Sequence, residues 1–461
     1  MRFINRKEEL EYLEKKWAKK TPQLVILYGK RRVGKTEIIK HFIGGKNAIY
    51  FLADKRPERE QLKVIARELG EHFNDDFLVT KGFSDWYEMF KYIQSKKDKH
   101  LIMVIDEFPY LAENNKAISS IFQKGWDEYL KSISVFLILC GSSIGMMELE
   151  TLAQKSPLYG RRTGQLMIKP FSFFNAWGFF PQKKFEEFLR IYSIVGGVPT
   201  YLLQIDPKRS MEKDILDNVF NRDSFLYREI DFILREEIRE PRNYLSILRA
   251  IALNRRRFSE IINETGLQKN VIHKYLHVLE DLYFIEKEMP VTEKNPVKSK
   301  KGLYRLQDQF FKFWFTYIYP YKSELELGNY KPAISKWKKS FEILVTENYE
   351  TISMEILRKY QDKFFSFQRV GRWWEKNEEI DLVALNEEEN KILFGEVKWS
   401  NKPVGVNIYE DLKKKAQRVE WGRRTREEYF CLFSKSGFTP NMLKVAKTEG
   451  VFAFDKGGLL F

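Results

Sequence analysis

Gly29-Lys30-Arg31-Arg32-Val33-Gly34-Lys35-Thr36 fits G-x-x-x-x-G-K-[ST] and constrains the fold more than any other stretch of this 461-residue chain. The apolar run Leu24-Val25-Ile26-Leu27-Tyr28 before it reads as a buried strand, and Glu37 through Ile43 after it reads as a helix. That order is what a phosphate-binding loop requires. Backbone N–H groups turn inward around a phosphate, and the following helix adds the partial positive charge of its N-terminus. Gly29 and Gly34 allow the tight path. Lys35 is expected to reach the β- and γ-phosphates of a nucleoside triphosphate, and Thr36 to ligate Mg²⁺. Lys30, Arg31, Arg32, Val33 and Glu37 complete the expected nucleotide-binding stretch.

Leu101-Ile102-Met103-Val104-Ile105-Asp106-Glu107 is a wholly apolar run ending in two carboxylates. Such a run predicts a central parallel strand covered on both faces, and ligands bind at the carboxyl ends of such strands. Asp106 is therefore placed to hold the Mg²⁺ shell and Glu107 to polarise an attacking water. The second acid favours a nucleotide hydrolase over a small-molecule kinase. A third strand, Val135 to Cys140, ends in Gly141-Ser142-Ser143. The serine hydroxyls either sense the γ-phosphate or cap the next helix.

A formal net charge of +15 favours a polyanionic partner. Cys140 and Cys431 lie in apolar runs and read as core residues rather than a disulfide or metal pair. No apolar run approaches the length of a membrane span and the N-terminus lacks a signal-peptide pattern, so a soluble, cytoplasmic protein with no membrane association is expected.

The fold class expected is α/β: a parallel sheet over 1–170, a helical lid over 171–235, a winged helix-turn-helix over 236–306, a helical connector over 307–340, and a C-terminal α/β domain over 341–461. The winged-helix reading rests on helices near 244–253, 258–267 and 271–282, then strands Phe284 to Glu288 and Leu303 to Leu306 around a lysine-rich loop. Gln268, Lys269, Asn270, His273 and Lys274 would face a DNA groove, and Lys298, Lys300 and Lys301 would lie near phosphates. The alternative is a winged helix used only for packing or nucleotide sensing. Phe310 to Phe315 is expected as a packed helix.

At the C-terminal end, Glu378 to Leu385 and Ile392 to Trp399 read as successive strands. Glu396 and Lys398 then share a face while Val397 points to the core. Asp381 and Glu396 are expected to share one Mg²⁺, Glu342 on the preceding helix to complete the metal shell, and Lys398 to orient or deprotonate a water. Trp373 and Trp374, beside Arg369 and Arg372, either stack on bases or form a hydrophobic hairpin.

Together these segments resemble the archaeal ATPase family of the STAND/AAA+ type, in the group with a C-terminal PD-(D/E)XK nuclease-like domain. The carriers are Phe3 to Leu10, the Gly29–Thr36 loop, Asp106-Glu107, Gly141-Ser142-Ser143, Pro157 to Arg162, Gly197-Val198-Pro199, Glu379-Ile380-Asp381 and Gly395 to Lys398. The resemblance implies that Arg6 lies near the adenine, although Asn5 stands where relatives have glycine. It implies that Pro199 packs near the base, and that Arg161 or Arg162 senses the γ-phosphate or acts as an arginine finger, in cis or in trans. The resulting expectation is a monomeric or homo-oligomeric switch that binds ATP or ADP with Mg²⁺, hydrolyses ATP, and couples nucleotide state to DNA binding. Its rivals are an ATP-gated, Mg²⁺-dependent DNA nuclease and a nucleotide-binding signalling scaffold for a protein partner.

Overall fold

The computed structural model describes residues 3–96, 100–422 and 425–461. The apolar runs of the first part pair as an all-parallel sheet: β1 Gln23–Tyr28, β2 Ala48–Leu52, β3 Leu101–Asp106, β4 Val135–Gly141 and β5 Gly164–Met167, in the order β2-β3-β4-β1-β5. Every residue of β1, β3 and β4 is buried, as strands covered by helices on both faces must be. Val25, Leu27, Val104 and Ile138 pack with Ile38, Ile39 and Phe42 of the helix Lys35–Ile43. That packing lays the helix along the sheet, with its first residue, Lys35, directly after the loop that leaves β1.

By contacts the chain divides into two units, one of residues 1–179 with 197–203, the other of 180–196 with 204–461. The residues expected as a single lid, 171–235, thus divide between the two. Cys140 and Cys431 are both buried and unpaired with each other, as expected.

The second unit contains the helices Arg242–Ala252, Phe258–Thr265 and Lys269–Asp281, followed by the antiparallel pair β6 Ile285–Glu288 and β7 Leu303–Leu306. The aromatic run lies in the helix Gln309–Tyr317, with Phe310, Phe311, Phe313, Trp314 and Phe315 buried and the Trp314 Nε1–H donated to the Tyr227 carbonyl at 2.8 Å. The boundary expected at 340/341 falls inside one continuous helix, Lys331–Lys359. Ser340 does not cap it, because its hydroxyl donates back to the Lys336 carbonyl at 3.0 Å, a bond available only mid-helix.

A six-stranded sheet closes the chain in the order β13-β12-β11-β10-β9-β8, with β8 Arg369–Glu375, β9 Glu378–Asn386, β10 Lys391–Lys398, β11 Glu427–Ser434, β12 Phe452–Asp455 and β13 Gly458–Leu459. β8 pairs antiparallel with β9 and β9 with β10; β10, β11 and β12 run parallel, and β13 returns antiparallel to β12. Val383, Phe394 and Leu432 of one face pack with Tyr409, Leu412 and Met442 from the helices Val406–Ala416 and Pro440–Glu449. Among the described residues no helix is long and apolar enough to cross a membrane.

Candidate functional site

The loop after β1 closes onto the end of β5. Gly29 has φ +153°, and a Cβ there would stand 2.2 Å from the Ile168 carbonyl oxygen, so only glycine fits. Gly34 has φ +89°, and a Cβ would find only Pro199 Cγ, at 3.9 Å. Between them Arg32 also takes positive φ, Val33 is buried and Arg31 half-buried. The carbonyls of Gly29 and Lys30 each accept from Lys35 Nζ at 3.0 Å. Burial lowers the Lys35 pKa, and the charges of Glu107 and Asp106 only partly offset this. A buried ammonium held by carbonyls rather than by a carboxylate, beneath an open glycine loop at a helix N-terminus, fits an incoming polyphosphate. Glu37 is exposed in the first turn of that helix, where an acid complements the helix dipole.

Asp106 is almost wholly buried, and both its oxygens are engaged. Oδ2 accepts from the Thr36 hydroxyl at 2.9 Å and the Tyr50 hydroxyl at 2.6 Å, while Oδ1 accepts from the Glu107 N–H at 3.0 Å. This joins the two acid-and-hydroxyl segments the sequence singled out. Glu107 sits at φ +56°, a conformation that costs a non-glycine residue energy and recurs at functional sites. Its carboxylate accepts from both the hydroxyl (2.9 Å) and the N–H (3.2 Å) of Ser142. Ser142 therefore serves the acid rather than capping the next helix, whose N-cap is Ser143.

Arg6 takes φ +69° at the start of the helix Lys7–Trp17. Its guanidinium donates to the Val33 carbonyl at 2.8 Å, pairs with Glu9 at 2.7 Å and lies 3.9 Å over the Phe171 ring. Asn5 has φ +58°, the left-handed conformation that a glycine would take freely and that asparagine tolerates best of the remaining residues. The substitution therefore preserves the turn. Phe171 N–H donates to the Gly197 carbonyl at 2.8 Å, and Thr200, next to Pro199, donates to the Arg32 carbonyl at 3.3 Å. Arg6, Phe171, Pro199 and the loop form one contiguous wall.

Arg161, for which the resemblance implies a role at a phosphate, here stands beside an acid. It donates to Asp127 of the helix Ile118–Glu128 through Nε (3.1 Å) and Nη2 (3.0 Å), and Arg162 reaches the carbonyl of Leu152 at 3.0 Å while lying over Tyr159. In this conformation neither contacts the phosphate-binding loop. The pair's own turn, 157–162, presents them to a neighbouring helix instead.

In the C-terminal sheet the ladder pair Gly395↔Leu382 carries on to set Asp381 beside Glu396. Asp381 accepts from the Val397 N–H at 2.9 Å. Glu396 accepts from Lys398 at 2.6 Å and from Lys415 at 3.3 Å. The metal-shell role expected for Glu342 is not supported: Glu342 contacts Arg190 and accepts from the Trp399 indole at 3.2 Å. The acid from that helix that senses Asp381 is Glu350, about two turns further on. Burial pushes the Glu350 carboxyl up, Arg372 opposes, and Asp381 adds to the rise; Asp381 is likewise pushed up by burial and by Glu396. Arg372 is delivered by a β-bulge between Gly371 and Trp373, which turns it onto Glu350. Trp373 is buried in the sheet core, as the hydrophobic-hairpin reading expects, and half-buried Trp374 donates to the Lys301 carbonyl at 3.1 Å. Among the described residues no three acids form a group that could hold a metal ion. Glu396 is tied to two lysines and Asp381 to a backbone N–H.

Comparisons with known proteins fall on the same segments. Residues 3–205 match a family model described as an ATPase domain predominantly from Archaea, and residues 314–418 match one described as "Archaea bacterial proteins of unknown function". An uncharacterized protein of Methanocaldococcus jannaschii is 37% identical over 439 residues, 94% of this chain and 95% of that one. An uncharacterized ATP-binding protein of the same organism is 61% identical over 44 residues, 10% of this chain and 75% of that one. A Walker-type ATPase of Pyrococcus abyssi superposes with a TM-score of 0.50 at 23% identity, covering 68% of this chain and 96% of that one, a likeness of fold.

Proposed function

The chain belongs to one family with the 37% identical uncharacterized M. jannaschii protein and carries an archaeal ATPase domain over 3–205, and from that premise we propose an ATP-hydrolysing switch whose nucleotide state governs DNA binding. The observation that carries the hydrolytic part is the chain Thr36–Asp106–Glu107–Ser142, in which each polar side chain is fixed by the next. Lys35 and the loop N–H groups would bind the phosphates, and Thr36 with Asp106 would hold Mg²⁺, which neutralises phosphate charge when bound. Glu107, oriented by Ser142, would take the proton of the attacking water. Arg6 and Pro199 would flank the base, and Arg161 would reach a phosphate only after leaving Asp127, or in a second subunit.

The DNA part rests on the second unit. Lys269, Asn270, His273 and Lys274 are exposed on the helix Lys269–Asp281, and Lys294, Lys298 and Lys300 are exposed on the loop between β6 and β7. This is the arrangement of a winged helix presenting a polar helix and a basic loop. The test is binding of a labelled duplex to the full chain, with ADP and with ATP trapped by Glu107→Gln. The expectation is a nucleotide-dependent affinity that falls steeply with salt and drops on Lys269→Ala with Lys274→Ala. Equal affinity in both nucleotide states refutes the coupling.

A second reading, a DNA nuclease, is favoured by one observation: Asp381, Glu396 and Lys398 meet on β9 and β10 with Glu350 linked to them. Cleavage of DNA with Mg²⁺ or Mn²⁺ that vanishes in Lys398→Ala would establish it. Cleavage that persists in that variant arises elsewhere.

A further inference from the structure

Tyr50 belongs to no motif, yet it makes one of the short polar contacts of the nucleotide site. It lies on β2, the edge strand beside β3, where the register pairs Tyr50 with Val104 and Leu52 with Asp106. Its ring packs against the cluster that contains Ile39 and Phe42 of the helix after the loop. Packing therefore fixes the ring, and only the hydroxyl reaches Asp106 Oδ2, at 2.6 Å. The same oxygen accepts from Thr36 at 2.9 Å. A carboxylate oxygen has two lone pairs, and these two donors occupy both. The other oxygen is held by the Glu107 N–H. A phenol is protonated at neutral pH, with an ordinary pKa of about 10, so the Tyr50 hydroxyl donates.

We infer that Tyr50 is a positioning residue of the ATP site: its hydroxyl locks the Asp106 carboxylate in the orientation that serves Thr36 and the Mg²⁺-nucleotide. Two consequences follow from the geometry. With Tyr50 in place, Asp106 cannot rotate without breaking a charge-assisted bond. With both lone pairs of Oδ2 used, that oxygen is withheld from Lys35, which stays on the Gly29 and Lys30 carbonyls and is available to a phosphate. This role rests on the ATP-binding reading and concerns the metal-dependent part of binding alone.

The test compares wild type with Tyr50→Phe, which keeps the ring and its packing. A fluorescent ADP analogue is titrated into the full chain in EDTA and at a series of Mg²⁺ concentrations, with thermal melts as a control for folding. The expected result is unchanged affinity in EDTA, a cooperative melt lowered by no more than a few degrees, and a roughly tenfold higher Mg²⁺ concentration for half-maximal tightening, the size expected for one hydrogen bond to a charged acceptor. In turnover, kcat falls while KM for ATP at saturating Mg²⁺ holds. An unchanged Mg²⁺ requirement overturns the inference. Equal weakening in EDTA and in Mg²⁺ also overturns it, since Tyr50 would then be a packing residue. A wild-type chain that binds the analogue under neither condition overturns the ATP reading itself, a different and distinguishable failure.

Discussion

Replacing Ser142 with alanine isolates the contact that distinguishes a poised general base from an acid merely near the site. The Ser142 hydroxyl donates to Glu107 Oε2 at 2.9 Å, and its own N–H donates to the same oxygen at 3.2 Å. A hydrogen bond to a charged acceptor contributes about 1.5–3 kcal/mol, but the remaining N–H keeps part of the orientation, so the lower end applies. That corresponds to a loss of about tenfold in kcat, at about 1.4 kcal/mol per decade. Glu107→Gln removes the proposed base and should cost about 10²- to 10⁴-fold. The two changes act on one function, so their effects should not add: the double variant should turn over no more slowly than Glu107→Gln alone. Phosphate release by all four proteins, with ADP affinity measured to confirm an intact loop, completes the cycle. A double variant a further tenfold slower than Glu107→Gln would refute the argument. So would Ser142→Ala at the wild-type rate.

Gly29→Ala should abolish nucleotide binding and lower the melting temperature, because the added Cβ would lie 2.2 Å from a backbone oxygen at a φ alanine avoids; wild-type ADP affinity would contradict it. Arg6→Ala removes the bond to Val33 and the stack on Phe171, about 2–4 kcal/mol together, which a melt without nucleotide should show as a shift of several degrees. Asp381 and Glu350 both have raised pKa values in the fold, so they bind protons more tightly there than in the unfolded chain. The stability they contribute is present below the ordinary carboxylate value of about 4 and is lost as pH rises toward neutral. Asp381→Asn should therefore raise the melting temperature more at about pH 8 than at about pH 5. A shift equal at both would remove the linkage.

The strands were readable because central parallel strands are apolar throughout, and β1, β3 and β4 are just that. Thr36 and Asp106 were each placed by motif, and the bond between them follows from the order of the strands. What escaped was whatever depends on how one element is rotated against another. Nothing local marks Glu350 rather than Glu342, since both project from the same long helix and only packing decides which turn meets β9. The resemblance implies that Arg161 or Arg162 senses a phosphate, and no sequence signal marks Asp127 as the acid that holds Arg161 here. Tyr50 lies within β2 and Ser142 just past the end of β4, and each meets its acid only once the sheet is assembled. Along β2 half-buried Ala48 and Tyr50 alternate with buried Ile49 and Phe51, a pattern that marks an edge strand and nothing about Asp106.

The wall that runs from Phe171 to Gly197 and from Thr200 to Arg32 sets a limit on how this chain can be cut. A fragment ending at residue 179 contains every strand of the parallel sheet and the whole phosphate-binding loop, and by motif it would pass for a complete ATPase domain. It would nevertheless leave the Phe171 N–H and the Arg32 carbonyl without the partners that Gly197 and Thr200 supply. A fragment extended to residue 203 would recover them only by carrying residues 180–196, which belong to the other unit. The sound boundaries for expression or domain exchange are therefore not those the motifs suggest, and nucleotide affinity in a truncated protein measures the cut as much as the site.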